Sequence, residues 1–142
     1  MGPPRRVLQI IDSLARGGAE QSLATLAPHL VAEGVDLHVA YLVERDDLRA
    51  DIERAGVPVV SLAEAGAGRH RWLARTRDLI ADLRPDVVHT TLFEADLAGR
   101  RAAPRLGVPC VSSFVNTTYG RMQADRENVS RVKLRAAQAV DA

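Results

Sequence analysis

Five short apolar runs, separated by segments of helical period, constrain the fold of this chain most. Each run is rich in valine and isoleucine and has the length of a strand; the runs cover residues 7–11, 37–43, 57–62, 87–92 and 108–115. Strands that alternate with helices predict parallel βαβ units. With right-handed crossovers, the five strands predict a Rossmann-like α/β fold, a doubly wound parallel sheet in the order 3-2-1-4-5 with helices on both faces.

The segments between the runs carry their own signals for helices and for helix ends. Residues 19–33 have a helical pattern, residues 72–83 place their apolar side chains in one stripe, and residues 129–140 repeat that stripe near the end of the chain. The junctions "EGVDL", "AGVPVV" and "LGVPCV" each place a glycine between a helix and a strand. Glycine adopts the left-handed conformation that ends many helices, so the junctions predict three helix ends.

Composition limits the class of protein. A chain of 142 residues fits one domain, and 19 basic against 18 acidic residues leave a formal net charge of +1, which disfavours nucleic acid as a partner. Cys110 is the single cysteine, so an internal disulfide and a thiolate metal site are both excluded. No apolar stretch is long enough to span a membrane, and the first residues do not form a signal peptide. We therefore predict a cytoplasmic protein.

The predicted sheet order also predicts where a ligand binds. In doubly wound sheets, ligands lie beyond the carboxyl ends of the strands where the strand order reverses, here between the first and fourth strands. The loops at that point are "DSLARGGAE", after the first strand, and "HTTLFEAD", after the fourth.

Two glycines, Gly17 and Gly18, lie between the first strand and the following helix. Glycine allows positive φ and lets another group approach the backbone closely. The amides of Gly18, Ala19 and Glu20 would be free donors of a helix N-terminus, which favours a phosphate or carboxylate. Alternatively, the glycines form only a tight turn, with Glu20 stabilising the helix dipole. The loop matches neither G-x-G-x-x-G nor a P-loop.

Two blocks, "VLQIIDSLARGGAEQSLATLAPHLVAEGVDLHVAYL" and "RPDVVHTTLFEADLAGRRAAPRLGVPCVSSFVN", resemble the N-terminal domain of family-4 retaining glycosyltransferases of the GT-B fold. The similarity runs from residue 7 to about residue 142. In that family two Rossmann-like domains face each other; the first mainly binds the acceptor and the second binds the nucleotide-sugar donor. The resemblance implies that residues 1–142 are the single acceptor-side domain and that the donor-binding domain is absent from this chain.

The resemblance also implies a function. The chain would be half of a bacterial enzyme that moves a sugar from a nucleotide-sugar to a glycan or a lipid-linked acceptor, and it would be inactive without its second domain. Gly17, Gly18 and Ala19 would form the loop on the side of the donor phosphates. The resemblance implies no further cofactor and no metal. A lipid-linked acceptor would bring the protein to the inner face of the membrane as a peripheral protein.

Candidate acceptor contacts lie in the loops at the predicted ligand edge. They are Ser13, His89, Thr91, Glu94, Asn116 and Tyr119. His89 matches the first histidine of the family's "VHxH" pattern, but Thr91 stands where some members have a second histidine at the catalytic centre. Because a threonine hydroxyl is a poor general base, we assign no catalytic residue.

Purely structural roles, without ligand binding, remain open for these residues. His89 can be a packed core histidine, Glu94 can be a helix N-terminal charge, and the loop with Asn116 and Tyr119 can be a plain surface loop. The whole chain can also be an autonomous flavodoxin-like module that binds or regulates.

Overall fold

The structure is a computed structural model that describes residues 5–63, 69–113 and 115. Within them, five parallel strands form one sheet in the order β3-β2-β1-β4-β5. The strands are β1 (Arg6–Ile11), β2 (Asp36–Tyr41), β3 (Val59–Ser61), β4 (Val87–Thr91) and β5 (Cys110–Ser113). The predicted doubly wound α/β fold and its strand order are therefore confirmed.

Four α-helices connect the strands. They are α1 (Gly18–Ala32), α2 (Arg49–Glu53), α3 (Arg69–Leu83) and α4 (Phe93–Ala102), and a short 3-10 turn (Pro104–Leu106) follows α4. On one face of the sheet, α1 and α2 pack on buried Leu37, Val39 and Tyr41 of β2. On the other face, α3 and α4 pack on Leu8 and Ile10 of β1. Both faces carry helices because the crossovers lie on opposite sides of β1.

The sequence predicts the element positions well but makes four of the strands too long. The runs at residues 37–43, 57–62, 87–92 and 108–115 correspond to shorter strands. Pro58 and Pro109 lie just before β3 and β5, and each accepts a ladder hydrogen bond through its carbonyl although it has no amide to donate. The predicted helix at residues 129–140 lies outside the described residues.

The three glycine junctions behave as predicted. Gly34, Gly56 and Gly107 have φ angles of 83°, 82° and 71°, which is the left-handed region that glycine adopts without steric cost. These residues end helices at the edge of the sheet from which the strands start. The opposite edge, where the strands end, is left for the longer loops. Among the helices of the described ranges, none is long and apolar enough to cross a membrane.

Candidate functional site

The carboxyl ends of β1 and β4 lie side by side, as the predicted ligand site requires. The two strands pair in parallel from Val7 with Val87 to Ile11 with Thr91. From β1 the chain continues to β2 on one side, whereas β4 lies on the other side. The loops that follow β1 and β4 therefore flank the point where the strand order reverses, which is where open α/β sheets bind ligands.

Helix α1 begins at this point. Gly17 is its N-cap, with φ −96° and ψ 173°, and no side chain caps the helix. The Gly17 amide donates to the Ala15 carbonyl at 2.9 Å, so the first helical amides are those of Gly18, Ala19 and Glu20, as predicted. Neither glycine has a positive φ. What glycine supplies here is space, because a Cβ built on the exposed Gly18 meets no atom within 4 Å.

The side chain of Glu20 occupies the space beside Gly17, where a glycine has no side chain. That side chain is buried, and a Cβ on Gly17 would collide with its carboxylate. An acidic group in the first turn stabilises the helix dipole, as the alternative interpretation of the two glycines predicts. Gly17 therefore makes room for Glu20, whereas Gly18 leaves its backbone exposed, and the binding of an anion at Gly18 stays a prediction.

A pocket of about 520 Å³ lies between α1 and the ends of β1, β4 and β5. Four predicted site residues line it, namely Gly18, Ala19, His89 and Thr91. The other lining residues were not predicted; they are Gln9, Ile11, Ser22, Leu23, Leu26, Leu30, Ser113 and Val115. The signal for two of them is in the sequence, because Gln9 and Ser113 are polar residues within otherwise apolar runs.

The floor of the pocket consists of two hydrogen-bonded pairs. The Gln9 amide nitrogen donates to the Thr91 hydroxyl at 2.9 Å, and Nε2 of His89 lies 2.6 Å from the Ser113 hydroxyl. Burial lowers the pKa of His89, and the negative charge of Asp96 acts in the opposite direction. The imidazole is therefore neutral at pH 7 and is engaged with Ser113.

Asp12, the residue after β1, was not among the predicted site residues. Its carboxylate accepts a hydrogen bond from the Ala95 amide at 2.7 Å and so caps α4 from another part of the chain. The N-cap residue of α4, Leu92, offers no side-chain cap and has φ 76°, a rare angle for a residue other than glycine. Burial raises the pKa of Asp12 to about 7, with smaller contributions from the charges of Glu94 and Asp96.

Two of the remaining predicted contacts, Ser13 and Glu94, are not among the described residues that line the pocket. Ser13 is buried, and its hydroxyl accepts a 3.4 Å hydrogen bond from the Ala15 amide in the loop itself. Glu94 lies in the first turn of α4. Asn116 and Tyr119 lie outside the described residues, and the roles of all four in binding stay predictions. Within residues 5–63, 69–113 and 115, no group of three histidine, cysteine or acidic side chains could hold a metal ion.

Comparison with protein families gives one match over almost the whole chain. The family described as "Glycosyl transferase 4-like domain" matches residues 2–142. No curated protein sequence matches the chain significantly.

Solved structures share the fold at low sequence identity. HepE from Anabaena, solved in complex with UDP, is 18% identical with a TM-score of 0.67, over 95% of this chain and 34% of that one. A glycosyltransferase from Rickettsia africae is 13% identical with a TM-score of 0.65, over 94% and 35%. The UDP-GlcNAc 2-epimerase from Neisseria meningitidis, bound to UDP-GlcNAc, is 11% identical with a TM-score of 0.59, over 95% and 38%. This chain thus spans little more than a third of each of these proteins.

Proposed function

Because the chain belongs to the glycosyl transferase 4-like domain family, we propose that it is the N-terminal, acceptor-side half of a retaining glycosyltransferase of the GT-B fold. The enzyme would move a sugar from a nucleotide-sugar to an acceptor, and a second domain would supply most of the donor site. Membership of the family, rather than the fold, supports sugar transfer, since an epimerase shares the fold.

The open N-terminus of α1 is the observation that carries the proposal. Its first residues, Gly18 and Ala19, line the pocket at the ends of β1 and β4, and no side chain caps the helix. The positive end of the helix dipole stabilises a diphosphate most strongly as negative charge develops on it, which is when the bond to the sugar breaks. The absence of a side chain on Gly18 allows the phosphate to approach the backbone.

In the proposed reaction, the acceptor oxygen bonds to the anomeric carbon, the bond from that carbon to the diphosphate oxygen breaks, and the acceptor hydroxyl passes its proton to the departing diphosphate. Thr91 is a poor base, and the imidazole of His89, which lines the same pocket, is hydrogen-bonded to the Ser113 hydroxyl. The domain would therefore contribute by positioning the acceptor hydroxyl and by stabilising the leaving diphosphate.

The acceptor class that we propose is a glycan or a lipid-linked molecule, and the site of action is the cytoplasmic face of the membrane. Arg101 and Arg105 are exposed near the end of α4. Cationic side chains on one surface can attract anionic headgroups without any membrane span.

The test is a transfer assay with the full-length protein. UDP- and GDP-sugars would be incubated with candidate acceptors, the products identified by mass spectrometry, and the anomeric configuration of the new bond determined by NMR. We expect a product that retains the configuration of the donor. Epimerised donor without transfer would contradict the proposal, and tight ligand binding with no turnover would favour an autonomous binding module.

A further inference from the structure

The sheet face beneath α1 changes its chemistry from one side to the other. Under α1 and α2, strand β2 presents buried Leu37, Val39 and Tyr41. In the ladder, Gln9 is level with Val39, and His89 pairs with Gln9 on the far side. The same face is therefore apolar at β2 and polar where β1 and β4 form the floor of the pocket.

Burying these polar residues at the floor of the pocket is less favourable for the stability of the fold than burying apolar ones. Gln9 is 5% exposed and Thr91 is 8% exposed, and each has an apolar alternative of similar shape. A hydrogen-bonded polar pair in such a place contributes little to stability compared with well-packed apolar side chains. Their concentration beneath the pocket therefore points to a ligand that they bind.

Gln9 and Thr91 together offer one hydrogen-bond donor and one acceptor to such a ligand. Gln9 uses its amide nitrogen in both of the hydrogen bonds that it makes within the described ranges, so its amide oxygen remains an acceptor. The Thr91 hydroxyl accepts from Gln9 and keeps its own hydrogen to donate. A neighbouring donor and acceptor match a hydroxyl group, which both donates and accepts.

The wall of the pocket that α1 forms, opposite the floor, is apolar. Leu23, Leu26 and Leu30 lie along α1 at i, i+3 and i+7, so they share one face of the helix and all three line the pocket. None of the described residues that line the pocket is charged. Along α1, away from the amides of Gly18 and Ala19, a charged group would lose its hydration without gaining an ion pair. A volume of about 520 Å³ is suited to a small organic molecule.

We propose that this pocket binds an uncharged acceptor with a hydrocarbon body and a hydroxyl group. The hydrocarbon lies along α1, and the hydroxyl lies between Gln9 and Thr91. The inference rests on the proposed function in one respect, namely that the bound alcohol is the acceptor. Gly18 and Ala19 line the same pocket, so an alcohol held there lies beside the proposed diphosphate site.

The first experiment compares matched probes on the full-length protein by isothermal titration calorimetry. Geraniol is the uncharged alcohol, geranylamine is its charged counterpart, and glycerol has hydroxyl groups but no hydrocarbon body. We expect geraniol to bind at least about tenfold more tightly than either of the others, which corresponds to about 1.4 kcal/mol. Equal or tighter binding of geranylamine, or no binding of geraniol, would overturn the inference.

Two variants on one helix locate the binding site. Leu26 and Val31 are both apolar residues of α1 and are 53% and 37% exposed, so an aspartate at either position leaves the core intact. Only Leu26 lines the pocket. We expect Leu26→Asp to weaken geraniol binding at least about tenfold and Val31→Asp to leave it unchanged. Equal effects of the two variants, or none, would show that the alcohol binds elsewhere.

A third variant tests the hydroxyl recognition. Thr91→Val keeps the shape of the side chain and removes the donor. We expect a several-fold loss of geraniol binding with no change for the corresponding hydrocarbon that lacks the hydroxyl, while an equal loss for both would contradict the hydrogen bond. Thermal unfolding of each variant would verify that it is folded.

These measurements separate the inference from the proposed function because they need no donor. Sugar transfer by a protein that does not bind geraniol would overturn the pocket assignment alone. Geraniol binding by a protein that transfers no sugar would leave the pocket as a binding site for the alcohol and would refute its role as the acceptor site.

Discussion

The carboxylate of Asp12 caps the helix that begins after β4, because its Oδ1 accepts a hydrogen bond from the amide of Ala95 at 2.7 Å across 83 residues of sequence. The carbonyl of Asp12 also accepts from the amides of Leu42 and Val43, which follow β2. One residue therefore joins the carboxyl ends of three strands. It thereby links the two loops that flank the reversal of strand order.

The protonation of Asp12 makes the stability of the fold depend on pH. Its folded pKa is about 7 against an ordinary value of 3.8, so between these values the folded chain binds more protons than the unfolded chain. The stability that this group contributes is present at pH 4 and is lost as the pH rises through 7. A pKa difference of one unit corresponds to about 1.4 kcal/mol, so a loss of the order of a few kcal/mol is expected.

The variant Asp12→Asn isolates this effect, since it keeps the acceptor oxygen and cannot ionise. The free energy of unfolding, measured in urea at pH 5, 6, 7 and 8, should fall less steeply with pH in the variant than in the parent. Asp12→Ala, which also removes the cap, should be about 1 kcal/mol less stable than Asp12→Asn at every pH. Identical pH profiles for the parent and Asp12→Asn would refute the assignment.

The order of the strands could be predicted because each element carries its own local signal. Runs rich in valine and isoleucine give the strands, and glycines such as Gly34 and Gly107 give the helix ends. Right-handed crossovers then leave few topologies. The adjacency of β1 and β4, on which the predicted ligand site depends, followed from that order.

The chemistry of the pocket was harder to predict for a physical reason. The sequence reveals that Gln9 and Ser113 are polar residues within strands. It does not reveal which element packs opposite them. The contact between Asp12 and Ala95 joins two distant loops, and only the folded sheet brings them together. Local patterns thus predict the scaffold, whereas long-range partners require coordinates.

The exposed Gly18 permits a test of the proposed diphosphate site that leaves folding unaffected. Since a Cβ on Gly18 meets nothing within 4 Å, Gly18→Ala should retain or slightly raise the stability of the fold. A methyl group at this position should obstruct the phosphate and raise the Kd of the nucleotide-sugar about tenfold in the full-length protein, as calorimetry would measure. Thr25→Ala, on an exposed position of the same helix, is the matched control. Unchanged donor affinity in Gly18→Ala would exclude close approach of the phosphate.

The imidazole of His89 should titrate below its ordinary pKa of 6.5, because burial disfavours the charged ring. An NMR titration of the ring resonances would measure this value directly. Since the folded pKa is the lower one, the stability that His89 contributes should be lost as the pH falls below about 6.5. A measured pKa above 6.5 would show that the charge of Asp96 outweighs burial. The assignment of a neutral imidazole to His89 at the pocket floor would then be wrong.

Gly99 allows α4 to approach β4 closely. A Cβ on Gly99 would collide with the methyl Cγ2 of Thr90, while its contacts with Val88 and Cys110 would be ordinary ones at 3.5 and 3.6 Å. Alanine gains up to about 1 kcal/mol over glycine within a helix, but forcing an extra methyl group into a packed core costs about 1–3 kcal/mol. We therefore expect Gly99→Ala to destabilise the fold in urea unfolding.

The double variant shows whether that collision is the cause. Thr90→Ser removes the methyl group that a Cβ on Gly99 would meet and keeps the hydroxyl that donates to Asp96. In the Thr90→Ser background, Gly99→Ala should cost less than it does in the parent, and its helix propensity can even make it stabilising. An equal cost in both backgrounds would mean that the close approach of α4 to β4 is not limited by Thr90. The spacing between the two elements sets the position of the β4–α4 loop, so the same pair of variants would also reveal how far the loop depends on this contact.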